Sequence, residues 1–179
     1  TFKNIAECRE HGIKVLAPDV NESLQDFTVV GTVIRFGLGA VKGVGTKAIE
    51  SIVSAREDGG PFTSLHEFLL RVRGQVVNRK VLESLIACGA FDSIERNRAR
   101  LWTVLDDAMR WASLRAEEKT SPQLGLFAAG RGGQVDTTPP PLPACEPWKA
   151  EEELRHEREA LGFFITGHPL DRYLKDLRK

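Results

Sequence analysis

The sequence predicts a mainly α fold with a small α/β N-terminal portion and a long Pro/Gly-rich loop. Three observations carry this. Apolar residues recur at helical spacing in four stretches between residues 46 and 117. The run FTVVGTVIRF at 27–36 reads as two short strands turning around Gly31. Six of the nine prolines (Pro122, Pro139, Pro140, Pro141, Pro143 and Pro147) crowd into residues 119–147, where no helical period survives.

The elements follow in chain order. Phe2, Ile5 and Ala6 stand at helical spacing, and Gly12 closes that stretch as a C′ residue. Val15-Leu16-Ala17-Pro18 is extended, because the residue before a proline avoids the helical region. From Gly37 the pattern turns helical, with helices expected over about 46–57, 64–72, 78–88 and 97–117. Ser64-Leu65-His66-Glu67 has the spacing of a capping box. Asn78 is a natural N-cap for the next helix, and Gly89 its C′ residue. The longest helix carries a stripe of Leu101, Val104, Leu105, Ala108 and Ala112, with Arg98, Arg100, Asp106, Arg110 and Arg115 mostly off it. Residues 119–147 read as linker rather than core. A last amphipathic helix, at about 150–162, leads into the apolar and then turn-like tail GFFITGHPLDRY.

Composition narrows the function. The chain has 179 residues, enough for one ordinary core or two small ones. Its 25 basic and 25 acidic residues cancel, so a protein that coats nucleic acid with bulk positive charge is excluded, and anion binding has to be local. Cys8, Cys88 and Cys145 are odd in number and widely spaced, which suits a reducing cytoplasm and offers neither a disulfide framework nor a zinc knuckle. No apolar run reaches bilayer length, no membrane partner is expected, and the first residues do not read as a signal peptide. A chain opening on Thr1 rather than Met is expected to be a piece of something longer.

One constellation points to chemistry. In Lys42-Gly43-Val44-Gly45-Thr46-Lys47, a short apolar helix is expected to meet a Gly-Val-Gly turn from which a second helix starts at once. Two glycines let the backbone turn tightly and approach a ligand, while Val44 pins the turn to the core. The amides at the helix start then face outward as an anion site flanked by Lys42 and Lys47. A plain helix–turn–helix corner with closely packed glycines is the bland alternative. A dinucleotide-binding turn is excluded, because no third glycine or later acidic partner fits.

At these residues the sequence resembles a known family. AVKGVGTKAIESI is similar to a helix-hairpin-helix element, and NRKVLESLIACGAF resembles the degenerate partner of a tandem pair. ECREHGIKVLAPDVN, IRFGLGAVKGVG, LIACGAFD and ALGFFITGHPLDRY occur in the order found in the alpha subunits of bacterial DNA polymerase III. The resemblance implies a tandem helix-hairpin-helix bundle arranged as the end of a fingers region (1–36), a DNA- and clamp-binding domain (37–118), a linker (119–149) and a helix (150–179) leading to a downstream domain. It implies duplex DNA held by Lys42 through Lys47 together with Arg79 and Lys80, and other replicase subunits as partners. DNA-directed nucleotidyl transfer and its Mg ions would belong to the rest of the parent chain. No catalytic residue, metal ligand or cofactor is expected in this fragment.

Gln123-Leu124-Gly125-Leu126-Phe127 stands in the polar linker, where two large apolar side chains need something to bury them. They either tack the linker back onto the protein or fill a partner's pocket. The string is similar to the pentapeptide by which polymerases hold a sliding clamp, with Gln123 at the pocket rim and Leu124, Leu126 and Phe127 against the clamp. Gly125 departs from the acidic or hydroxyl residue often found there. Arg71, Arg73, Arg79 and Lys80 could meet phosphates or form a solvated corner. His156 and His168 lack partners at metal spacing. Trp102 and Trp111 read as structural, and Asp106-Asp107 as a solvated face beside arginines. Two other readings remain open: a non-enzymatic DNA-binding scaffold or protein-interaction domain, and an error-prone translesion paralogue, which is expected to lack the clamp motif.

Overall fold

The computed structural model describes residues 10–72, 74–120 and 138–167, together with 5, 7 and 8. Three strands come first: β1 (Lys14–Leu16), β2 (Thr28–Val30) and β3 (Val33–Arg35). β2 and β3 form the expected hairpin around Gly31, whose φ of 61° suits a tight turn. β3 also pairs in parallel with β1, Val15 opposite Ile34, so the sheet order is β1-β3-β2.

A single 3₁₀ turn, Leu38–Ala40, stands where the sequence predicts a short helix. The reason is a lateral tie. The amides of Leu38 and Gly39 donate to the carbonyls of Leu24 and Gln25. A Cβ at Gly37 would fall 2.5 Å from the Gln25 carbonyl oxygen, and one at Gly39 2.8 Å from it. With the left-handed Gly43 only three residues further on, no full α-helical turn fits between.

Five helices build the rest: α1 (Thr46–Gly59), α2 (Leu65–Arg71), α3 (Arg79–Ala87), α4 (Arg98–Thr120) and α5 (Ala150–Leu161). Their ends follow local chemistry. Ser64 Oγ accepts from Glu67 N at 3.1 Å, but the Glu67 carboxylate reaches one residue further back than a capping box requires, to the amide (2.8 Å) and hydroxyl of Thr63. Asn78 caps α3 by accepting from Val81 N at 3.1 Å, and Gly89, at φ 81°, ends it.

α4 packs on α2 and α3 through its predicted stripe, with Leu101, Val104, Leu105, Ala108 and Ala112 all buried, and α5 packs on α3. Arg98, expected off that stripe, is buried instead. Its guanidinium meets Asp92 at 2.8 and 2.7 Å and the Ala87 carbonyl at 3.2 Å, so the charge is satisfied where it also closes the end of α3. The last part of the proline-rich stretch is likewise no free linker. Asn97 and Arg100 donate to the carbonyls of Cys145 and Pro143, each at 3.0 Å, and Leu142 and Trp148 pack on the core. Trp102 and Trp111 are structural: Trp102 meets Trp148 and His156, and Trp111 stands edge-on to His66.

α5 reaches back across the molecule. Its Ala160 carbonyl accepts from Lys42 N at 2.8 Å, and Phe163 just beyond it lies 5.5 Å, ring to ring, from the buried Phe36. Glu157, fully buried, accepts from the amides of Ile165 (3.0 Å) and Thr166 (3.2 Å) and from the Thr166 hydroxyl. Burial pushes its carboxyl above the usual range, against these bonds and the nearby Arg98 charge. One apolar cluster runs from Ile5 through the helices to Phe163. Among the described residues no helix is long and apolar enough to cross a membrane.

Candidate nucleic-acid interface

The turn at 41–45 is built as its residue types require. Val41 and Val44 are buried and anchor it, while Lys42, Gly43, Gly45, Thr46 and Lys47 are exposed. Gly43 adopts φ 81°, a conformation that costs an L side chain about 1–2 kcal/mol. Gly45 is different. It is the N-cap of α1 in ordinary extended geometry (φ −83°, ψ 160°), and a Cβ there would meet nothing within 4 Å. Neither backbone strain nor crowding accounts for a glycine at 45. A Ser or Asp would cap the helix better, yet no side chain caps α1. The Ala48 amide turns back on the Gly45 carbonyl at 2.9 Å, and the arrangement leaves the amides of Thr46 and Lys47 open with the approach to them clear, at the end where the helix dipole favours an anion.

The surrounding charge is mixed. Lys42 lies against the C-terminal turn of α5: a Cβ at Gly162 would stand 3.5 Å from its Cε and Nζ. Beside Gly45 and Thr46 runs a groove of about 440 Å³ whose other walls include Gln25, Asp26, Phe27 and Ile49. Asp26 brings a negative charge to that groove, which would work against an anionic ligand there.

A second turn joins α2 to α3. Its relation to the first is visible as a repeat: Lys47-Ala48-Ile49-Glu50-Ser51-Ile52 recurs 33 residues later as Lys80-Val81-Leu82-Glu83-Ser84-Leu85. At that offset Gly43 and Gly45 correspond to Val76 and Asn78, so the second turn carries side chains where the first carries none. Asn78 closes its helix start from within. Of the basic residues predicted here, Arg79 is drawn to Glu83 at 2.7 Å and to Asp106. Arg71 is engaged structurally: it donates to Glu67 and to the carbonyls of Ala55 and Gly60 at the end of α1, with its guanidinium 4.6 Å from the Phe62 ring centre. Lys80 is exposed, and Arg73 lies outside the described residues. So do Gln123, Leu124, Leu126 and Phe127, and His168. Asp107 faces Arg110 at 3.5 Å on the exposed side of α4. Among the described residues no group of three or more His, Cys, Asp or Glu side chains is placed to hold a metal ion.

Residues 12–101, which contain both turns, match the family model described as a helix-hairpin-helix motif. The chain belongs to the helix-hairpin-helix family. The turns at 41–45 and 72–78 both fall inside the matched span. The chain is also similar, over nearly its whole length, to one segment of much longer proteins. It is 47% identical over 169 residues to DNA polymerase III subunit alpha of Thermus aquaticus, covering 94% of this chain and 13% of that protein. The same subunit of Escherichia coli K12 is 38% identical over 179 residues, covering 98% of this chain and 15% of the relative. That of Neisseria meningitidis serogroup A is 41% identical, covering 97% and 15%. The chain thus spans about one seventh of the length of these relatives.

Sequence reasoning missed the roles of Asp26, Arg71 and Arg98, which depend on distant chain segments. It read residues 78–91 as the partner of a tandem pair but missed the 33-residue register that aligns the two, which was there to be read.

Proposed function

We propose that this chain is the duplex-holding segment of the catalytic alpha subunit of a bacterial replicative DNA polymerase, working in the cytoplasm beside other replicase subunits. The observation that carries the reading is the first hairpin, where an uncapped helix start is left open by a glycine the fold does not require. Phosphate oxygens accept from the amides of Thr46 and Lys47, which follow Gly45, while Lys42 and Lys47 supply charge that is indifferent to base sequence. Nucleotidyl transfer and its Mg ions belong to the remainder of the parent chain. The segment Gln123–Phe127 binds the sliding clamp, Leu126 and Phe127 entering an apolar pocket. Two modest grips on one chain then multiply through effective concentration.

Titration of the full-length subunit against two unrelated duplexes at several salt concentrations tests the first grip. Lys42→Ala and Lys47→Ala should weaken both duplexes alike and each flatten the salt dependence by about one counterion. Sequence-selective losses would overturn it. For the second grip, Leu126→Ala and Phe127→Ala should each weaken binding to purified clamp by about 2 kcal/mol, roughly thirtyfold, with thermal stability unchanged. Equal clamp affinity with an earlier melt would instead show that these side chains pin the segment to its own protein.

A further inference from the structure

We infer that Ser84 on α3, together with Lys80, completes the phosphate site of the first hairpin, an assignment that rests on the duplex-holding reading above. The two repeats are interlocked: the turn of the first lies over the helix of the second. A Cβ at Gly43 would stand 3.7 Å from Ser84 Oγ, so this hydroxyl borders the left-handed corner of the turn. Ser84 is only half-buried, and Lys80, four residues earlier on the same face of α3, is exposed. Arg79 and Glu83 occupy the neighbouring face and bind each other, and Arg79 also binds Asp106, so their charges are already offset.

The reciprocal contact is built otherwise. Ser51, the counterpart of Ser84, shares a groove of about 610 Å³ with Val76, the counterpart of Gly43. That groove is lined by Glu50 and Asp58 as well as Lys47 and Arg71, so its charge is mixed, and Arg71 is already engaged by Glu67 and two carbonyls. The pair of hairpins is therefore asymmetric. One phosphate site is assembled from both repeats, with amides from the first and a hydroxyl and ammonium from the second. The second turn, closed by Asn78, acts as its scaffold.

The test uses the full-length subunit and a matched pair at one position, Ser84→Thr and Ser84→Val. Both add similar bulk beside Gly43, and only Thr keeps a hydroxyl. Duplex affinity by fluorescence anisotropy should be near wild type for Thr and about fivefold weaker for Val. Lys80→Ala should weaken binding about three- to tenfold and flatten the salt slope by about one counterion, whereas Arg79→Ala should stay within twofold. In a Lys47→Ala background the Ser84→Val loss should shrink, because groups sharing one phosphate are not additive. Equal binding by the Thr and Val variants, or a Lys80→Ala variant with wild-type affinity and slope, overturns this assignment. If those variants are silent while Lys42→Ala and Lys47→Ala weaken binding, the assignment falls alone; if all four are silent, the duplex-holding reading falls with it.

Discussion

Gly43 and Gly45 sit two residues apart in one turn, yet the structure predicts opposite consequences for replacing them. At Gly45 the backbone is in a region open to every residue, and the space a Cβ would fill is empty. Gly45→Ser adds a hydroxyl that accepts from the open amide of Lys47, so stability should rise by a few tenths of a kcal/mol. On the proposed duplex-holding reading, the same hydroxyl occupies a donor that phosphate would use and puts a side chain in its path. Losing one hydrogen bond to a charged group costs about 1.5–3 kcal/mol, so duplex affinity should fall by about tenfold or more. At Gly43 the φ of 81° makes alanine strained, and Gly43→Ala should lose about 1–2 kcal/mol of stability. For a domain of this size that corresponds to a melting temperature lower by about 2–8 °C. Thermal unfolding by circular dichroism and anisotropy titrations on the same preparations separate the two variants. A Gly45→Ser protein that melts no earlier than wild type and binds duplex with wild-type affinity and salt slope would falsify the claim that this glycine serves a ligand.

Three further outcomes follow from other parts of the molecule. Asp26→Asn removes the carboxylate beside the open helix start, so duplex binding should tighten about two- to threefold and become more salt-dependent; unchanged binding would place Asp26 too far from the bound phosphate. Arg98→Ala strips the partner from the mostly buried Asp92 and the donor from the Ala87 carbonyl, and should destabilise by about 3 kcal/mol, read by urea unfolding. Burial, opposed by a bond to the Pro140 carbonyl, pulls the His66 imidazole below its ordinary pKa of about 6.5. A depressed histidine contributes stability that is present above the unfolded value and lost as pH falls through it. Wild type should therefore lose stability as pH falls below about 6.5, and His66→Gln should flatten that decline; parallel profiles would count against the assignment.

What was legible in the sequence is what depends on near neighbours. The α4 stripe, the caps at Ser64 and Asn78, and the Gly31 turn are each fixed within a few residues, and all are present. The parallel pairing of β1 with β3 was not legible, because three-residue strands carry no local signal for a partner almost twenty residues away. The short helix expected before the first turn failed because its amides are claimed laterally by residues 24–25. Arg98 looked solvent-facing because a sequence pattern cannot show Asp92 and the Ala87 carbonyl waiting for it. At the first turn, the Gly-Val-Gly corner and the exposure of its lysines were readable. That Arg79 is held by Asp106 was not readable, because it depends on where α4 lies in space.

The bond from Lys42 N to the Ala160 carbonyl bears on how the molecule matures. The residues of the first hairpin are adjacent in sequence, yet their support arrives more than a hundred positions later, so this contact has high sequence separation and closes late in a chain emerging from the ribosome. A nascent or truncated chain ending with α4 would carry every residue of the turn while leaving the Lys42 amide unpaired and the Phe36 ring without Phe163. The hairpin should then form but wander, with fast amide exchange around residues 41–45 that slows once α5 has docked. The order of this turn is thus set by the docking of α5 and not by the turn's own residues.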